Sequence, residues 1–84
     1  MKRDRIETEC WSNRIKRYEI PYVNGKIHGL VIGWYENGNK WYETPYVNDE
    51  IHGLGIVWNS NENKRFETPY KNNLEHGSKI EFNY

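Results

Sequence analysis

Apolar and polar residues alternate one by one through most of the chain. Leu30, Ile32 and Trp34 stand at every second position, as do Leu54, Ile56 and Trp58, then Ile80, Phe82 and Tyr84, with Ile6, Thr8 and Cys10 as a weaker first copy. A second set repeats the pattern in Tyr18-Ile20-Tyr22, Tyr42-Thr44-Tyr46 and Phe66-Thr68-Tyr70. Period two is the signature of a half-buried strand, because successive side chains leave a strand on opposite sides. The positions between the second set (Arg17, Glu19, Pro21, Trp41, Glu43, Pro45, Arg65, Glu67, Pro69) are mostly of solvent type. The pattern predicts seven strands and no helix. It also puts ten of the thirteen aromatic residues on one phase of the alternation, which predicts that they share a face.

The strands belong to a repeat. Pro21–Gly29 recurs at Pro45–Gly53 and again, more loosely, at Pro69–Gly77, a period of 24 residues. Residues 6–19 form a degenerate half repeat, 18–41 and 42–65 full repeats, and 66–84 a closing partial repeat, so residues 1–84 make a single domain. Asn37-Gly38 is a strong two-residue hairpin signal, with Asn13-Arg14 and Asn61-Glu62 as counterparts. Asn24-Gly25, Asn48-Asp49 and Asn72-Asn73 form the other turn, from residues that reach the left-handed region at low cost. Gly29, Gly53 and Gly77 close that loop, where a Cβ is expected to clash. Hairpins in chain order build an antiparallel meander.

Composition agrees with strands. The chain has only three Leu and no Ala, too few for helix faces, whereas thirteen aromatic residues suit a sheet. At 84 residues it is one small domain with a thin core. Twelve basic and twelve acidic residues cancel, which argues against a general nucleic-acid binder. Lone Cys10 forms no internal disulfide, and no apolar run reaches the length of a membrane span. No apolar stretch follows the charged start to make a signal peptide. A cytoplasmic protein is expected, in the host-cell cytoplasm if the chain is phage-encoded.

The pattern Tyr22-x-Asn24-Gly25-x-x-x-Gly29, an aromatic at Trp34 or Tyr35, then Asn37-Gly38 and Tyr42-Glu43, resembles the MORN repeat in its bacterial variant. The resemblance covers roughly residues 6–84, and departs where Asp49, Asn73 and Glu62 replace glycine. It implies an elongated, twisted single-layer sheet with an aromatic-lined groove. It also implies a scaffold or binding role, sometimes with lipid contact, and no inherent enzymatic activity. Some bacterial relatives are described as antitoxin-like. The fold expected is therefore all-β: a single-layer antiparallel meander of about seven strands, curled into an open half-barrel.

Candidate chemistry is sparse. His28, His52 and His76 lie one per repeat, two strands and so roughly 10 Å apart, whereas zinc ligands must converge within ~2.3 Å of one ion. They read as loop residues, and no metal or cofactor is expected. Glu19, Glu43 and Glu67 form a similar ladder, read as solvated or cross-strand paired rather than catalytic. Cys10, in a Trp-equivalent position, reads as a small inward filler. The basic cluster Lys2, Arg3, Arg5, Arg14, Lys16 and Arg17, beside Trp11, is where phosphate or nucleic acid would be contacted, through Arg14, Lys16 and Arg17. Glu7 and Glu9 interrupt it, and it reads better as a charged edge that resists strand pairing.

The aromatic phase is the main candidate. A single sheet has no second layer to cover it, and Tyr and Trp dominate binding hot spots. Trp34, Tyr42, Tyr46 and Trp58, flanked by Tyr22 and Tyr70, are expected to lie together and dock a partner protein. The function expected is a non-enzymatic module that occludes its partner, as an antitoxin or an anti-CRISPR-type phage counter-defence inhibitor does. The alternative is a structural or membrane-peripheral adaptor using the basic N-terminal end. Neither nucleic acid nor membrane is the partner expected. A homodimer through the aromatic face or through the lightly charged closing strand, residues 80–84, is a further expectation.

Overall fold

The structure is a computed structural model, and it describes residues 4–82. Its elements are β1 (Arg5–Cys10), β2 (Lys16–Val23), β3 (Lys26–Ile27), β4 (Gly29–Trp34), β5 (Lys40–Val47), β6 (Glu50–Ile51), β7 (Gly53–Trp58), β8 (Lys64–Lys71), β9 (Leu74–Glu75) and β10 (Ile80–Glu81). They form one open antiparallel sheet in the order β1-β2-β4-β5-β7-β8-β10, while β3, β6 and β9 pair with β2, β5 and β8. The seven expected strands are those of this main path. The closing strand is shorter than expected, ending at Glu81, and Asn83 and Tyr84 lie outside the described residues.

Turn chemistry sets the hairpins. Both central residues have positive φ at Asn24-Gly25 (54° and 81°), Asn48-Asp49 (48° and 72°) and Asn72-Asn73 (52° and 72°), the tight two-residue turn whose twist matches the strands. The other turns differ from expectation. Only their second residue has positive φ (Arg14, Gly38 and Glu62), and the N–H of Gly38 donates to the Tyr35 carbonyl while the N–H of Tyr35 donates to Asn39, at 2.9 Å each. This is a three-residue loop with the left-handed residue last. Asn is kept there because its side chain acts: the Oδ1 atoms of Asn13, Asn37 and Asn61 accept from the N–H two residues on, at 3.0, 2.9 and 3.3 Å. Gly29, Gly53 and Gly77 have φ of 120°, 123° and 93°, and a Cβ there would stand 3.0–3.3 Å from Cγ of Pro21, Pro45 or Pro69.

The repeats are also tied to one another at both ends of the strands. On one side, Trp11 Nε1 donates to the Trp34 carbonyl (3.0 Å), and Tyr35 Oη donates to the Trp58 carbonyl (2.7 Å). Asn13 and Asn37 donate from Nδ2 to the carbonyls of Glu36 and Ser60. On the other side, Asp49 Oδ1 accepts from the N–H of Ile27 (2.7 Å) and Asn73 Oδ1 from that of Ile51 (2.9 Å). This explains the lost glycines. Gly25 opens the series with no earlier tight turn to reach, whereas Asp49 and Asn73 need a side-chain acceptor.

The sheet is one layer thick. Its Cα atoms span 48 × 37 × 10 Å, and no hydrophobic residue among the described ones is fully buried. Its surface, 5884 Å², exceeds the roughly 5,300 Å² of a compact monomer of this mass. No helix among the described residues is long and apolar enough to cross a membrane.

Register divides the aromatic residues between two faces, contrary to the expectation of a shared one. Residues directly opposite in an antiparallel pair point to the same side. Gly33 is opposite both Tyr18 and Tyr42, Gly29 opposite Tyr46, Gly53 opposite Tyr70, and Val57 opposite Tyr42 and Phe66. From Tyr18, Tyr42 and Phe66 onward, the even-numbered residues of β2, β5 and β8 therefore share a face with the odd-numbered residues of β4 and β7. Leu30, Ile32, Trp34, Leu54, Ile56 and Trp58 stand on the other face, opposite Pro, Glu and Lys residues. The physical reason is the turn. A two-residue turn pairs Val23 with Lys26 and Tyr22 with Ile27, so odd numbers meet even ones. At the other end a register shift between Gly33 and Trp34 has the same effect.

Candidate functional site

The first face is a grid of aromatic rings on β2, β5 and β8. Tyr18, Tyr42 and Phe66 form one row and Tyr22, Tyr46 and Tyr70 another, with Ile20, Thr44 and Thr68 between them. Rings in one row are two strands apart, about 10 Å, and the rows are four residues apart, about 14 Å. The strands between carry small residues. A Cβ on Gly33 would lie 2.2 Å from the Tyr42 ring, and one on Gly55 3.1 Å from that of Tyr70. Those rings thus lie across the neighbouring backbone, with Gly33 and Gly55 buried beneath them, and Thr68 beside Gly55 is buried too.

Every ring of the grid is half-buried. Tyr35 Oη is spent on the Trp58 carbonyl, but the hydroxyls of Tyr22, Tyr42, Tyr46 and Tyr70 have no hydrogen-bond partner among the described residues. Each presents an apolar ring and a hydroxyl unpaired among the described residues, and Tyr42 and Tyr70 do so from a seated position. Tyr18 differs: a hydrogen bond to Glu9 first, then partial desolvation and the nearby carboxylates, pushes its phenol up from its ordinary value. Arg5 lies over the Tyr22 ring at 4.0 Å, at the border of the grid.

The opposite face is built otherwise. Ile6, Leu30, Leu54 and Ile80 on this face are 63, 44, 47 and 49% exposed. Below that row, one unit recurs in each repeat. Lys16, Lys40 and Lys64 bond to Glu19, Glu43 and Glu67 and reach over Trp34, Trp58 and Phe82 at 5.6, 5.4 and 6.0 Å. A shallow depression of about 240 Å³ is lined by Lys40, Trp58 and Glu62. Trp34 and Trp58 are thus each covered by a lysine on the face opposite Tyr22, Tyr42, Tyr46 and Tyr70, and the six residues do not form one site.

The remaining candidates take local roles. Lys16 is held by Glu19, Arg17 lies 4.9 Å from the Trp11 ring and 4.0 Å from Glu9, and Arg14 occupies a turn, so the three cations do not converge. Lys2 and Arg3 lie outside the described residues. The N–H groups of His28, His52 and His76 donate to the carbonyls of Pro21, Pro45 and Pro69 at 3.1, 3.0 and 2.7 Å, and His28 Nδ1 accepts from Asn48. Among the described residues no three His, Cys, Asp or Glu side chains gather as a metal site. Cys10 is exposed rather than an inward filler, since β1 has no neighbour on its far side.

Three aromatic residues outside the main phase were missed as structural elements. Trp11 and Tyr35 staple repeats, and Trp41 stacks on Tyr35 with centroids 5.2 Å apart. The 24-residue spacing of Trp11 and Tyr35 with Asn59, the position that ends their series, was the available signal for the staples. Set against family models, curated proteins and solved structures, the chain matches none.

Proposed function

We propose that the chain is a non-enzymatic protein-binding module that docks a partner protein on its tyrosine face and occludes it, as an antitoxin or phage counter-defence inhibitor would. The observation that carries this reading is the grid of half-buried rings whose hydroxyls, at Tyr22, Tyr42, Tyr46 and Tyr70, have no partner among the described residues. Tyrosine supplies large contact area with only two side-chain torsions to freeze, and its hydroxyl can bond to a partner as the ring desolvates. Tyr42 and Tyr70, already seated over Gly33 and Gly55, lose little further freedom on binding. A thin sheet of this size has little machinery beyond its surface, so covering a partner's working surface is the simplest mode of action. The resemblance to MORN repeats points the same way.

The test is affinity capture from the native host with three baits. Tyr42→Ser/Tyr46→Ser should lose a protein that both the wild type and Leu30→Ser/Leu54→Ser retain. Loss from the leucine variant alone would move the site to the other face.

A further inference from the structure

We propose that β1 is a dimerisation edge that pairs antiparallel with β1 of a second copy of this chain, centred on Ile6. The inference is independent of the tyrosine-face reading. β1 pairs with β2 on one side only, and all six of its residues are exposed. At the other border β10 has two residues, so β1 is the longer template, and its charges, expected from the sequence to resist pairing, are instead of both signs and able to complement a second copy.

Backbone geometry shows which groups the edge offers. Ile6 stands opposite Pro21, whose carbonyl accepts from the N–H of His28 and so points away from β1. Ile6 and Pro21 are therefore a non-hydrogen-bonded pair within the sheet. The N–H and C=O of Ile6 are turned outward, and those of Thr8 follow by alternation.

Charge then selects the register. With the two-fold axis at Ile6, Arg5 faces Glu7 of the second copy, Glu7 faces its Arg5, and Ile6 meets Ile6. A centre at Arg5 sets Arg5 against Arg5. A centre at Glu7 sets Glu7 against Glu7, and one at Thr8 sets Glu7 against Glu9 twice. Like charges directly opposite destabilise a strand pair, so the Ile6 centre is favoured. It also covers the side chain that is 63% exposed, and it extends the Leu30–Leu54 row into the second copy. An axis perpendicular to the sheet keeps each face on its own side, so the dimer is one longer sheet with two tyrosine grids facing the same way.

The experiment is sedimentation of the full chain combined with cysteine cross-linking. The wild type should dimerise. Glu7→Arg should weaken the dimer about tenfold or more, and Arg5→Glu/Glu7→Arg should restore it. In a Cys10→Ser background, Ile6→Cys should cross-link under oxidised glutathione, since the pair stands about 5.5 Å apart between Cα atoms. Thr8→Cys should not, at about 14 Å along the strands. A monomer at every concentration, a dimer indifferent to Glu7→Arg, or cross-linking at Thr8→Cys would overturn the proposal. If Glu7→Arg fails to fold, the cysteine pair decides alone.

Discussion

Two glycines show how a single atom governs the tyrosine face. Gly33 lies under the Tyr42 ring and leaves no room for a Cβ, which would stand 2.2 Å from the ring. At Gly55 the distance to Tyr70 is 3.1 Å, which a small ring shift relieves. Gly33→Ala should therefore destabilise by about 1–3 kcal/mol and unseat Tyr42, and Gly55→Ala should cost clearly less. Paired urea melts measure the difference. Tyr18 offers a second residue-scale prediction. Its raised phenol pKa, caused first by the Glu9 hydrogen bond, means that the folded state favours neutral tyrosine. The associated stability is complete below the ordinary tyrosine range and lost as pH rises through the higher folded value. A spectrophotometric titration should show the Tyr18 phenol ionising above its ordinary value, and Glu9→Gln should lower it.

At the scale of strands and turns, alternation and the recurring Asn residues made the seven main strands legible, because both signals are local. Face assignment does not follow from alternation alone, although the turn carries the clue. Asn24-Gly25 as a two-residue turn already places Tyr22 with Ile27 rather than with Leu30. Following parity through the sequence without passing it through the turn put Trp34 and Trp58 among the tyrosines. The value of Asp49 and Asn73 was out of reach for another reason. Their partners, Ile27 and Ile51, are 22 residues away and come close only through repeat stacking. Turn strain gives a prediction here. Glu62 has φ of 78° in a loop where Gly38 fills the equivalent place. Glu62→Gly should stabilise by about 1 kcal/mol, seen as a higher melting temperature.

Over the described residues the molecule is a sheet with no buried hydrophobic core, so its stability is spread over strand pairs, turn links and half-covered rings. Sites that are critical in a two-layer protein become tolerant here. Leu54 sits on the face opposite the tyrosine grid at 47% exposure. Leu54→Lys should cost less than about 1.5 kcal/mol in a denaturant melt, well below the ~2–5 kcal/mol of truncating a core leucine. The fold class was readable because repeats are quasi-one-dimensional: each unit contacts only its neighbours. The binding face was less readable, because it depends on how two sets of strands mesh.

The grid tyrosines and the Lys-covered tryptophans occupy opposite faces of the sheet. Nuclear Overhauser spectroscopy of the wild-type chain tests this placement most directly. The structure predicts strong cross-peaks between the Tyr42 ring protons and the Gly33 α-protons, with those α-protons shifted by the ring current. Cross-peaks linking the Tyr42 ring to the Trp34 indole, with Gly33 unshifted, would contradict it.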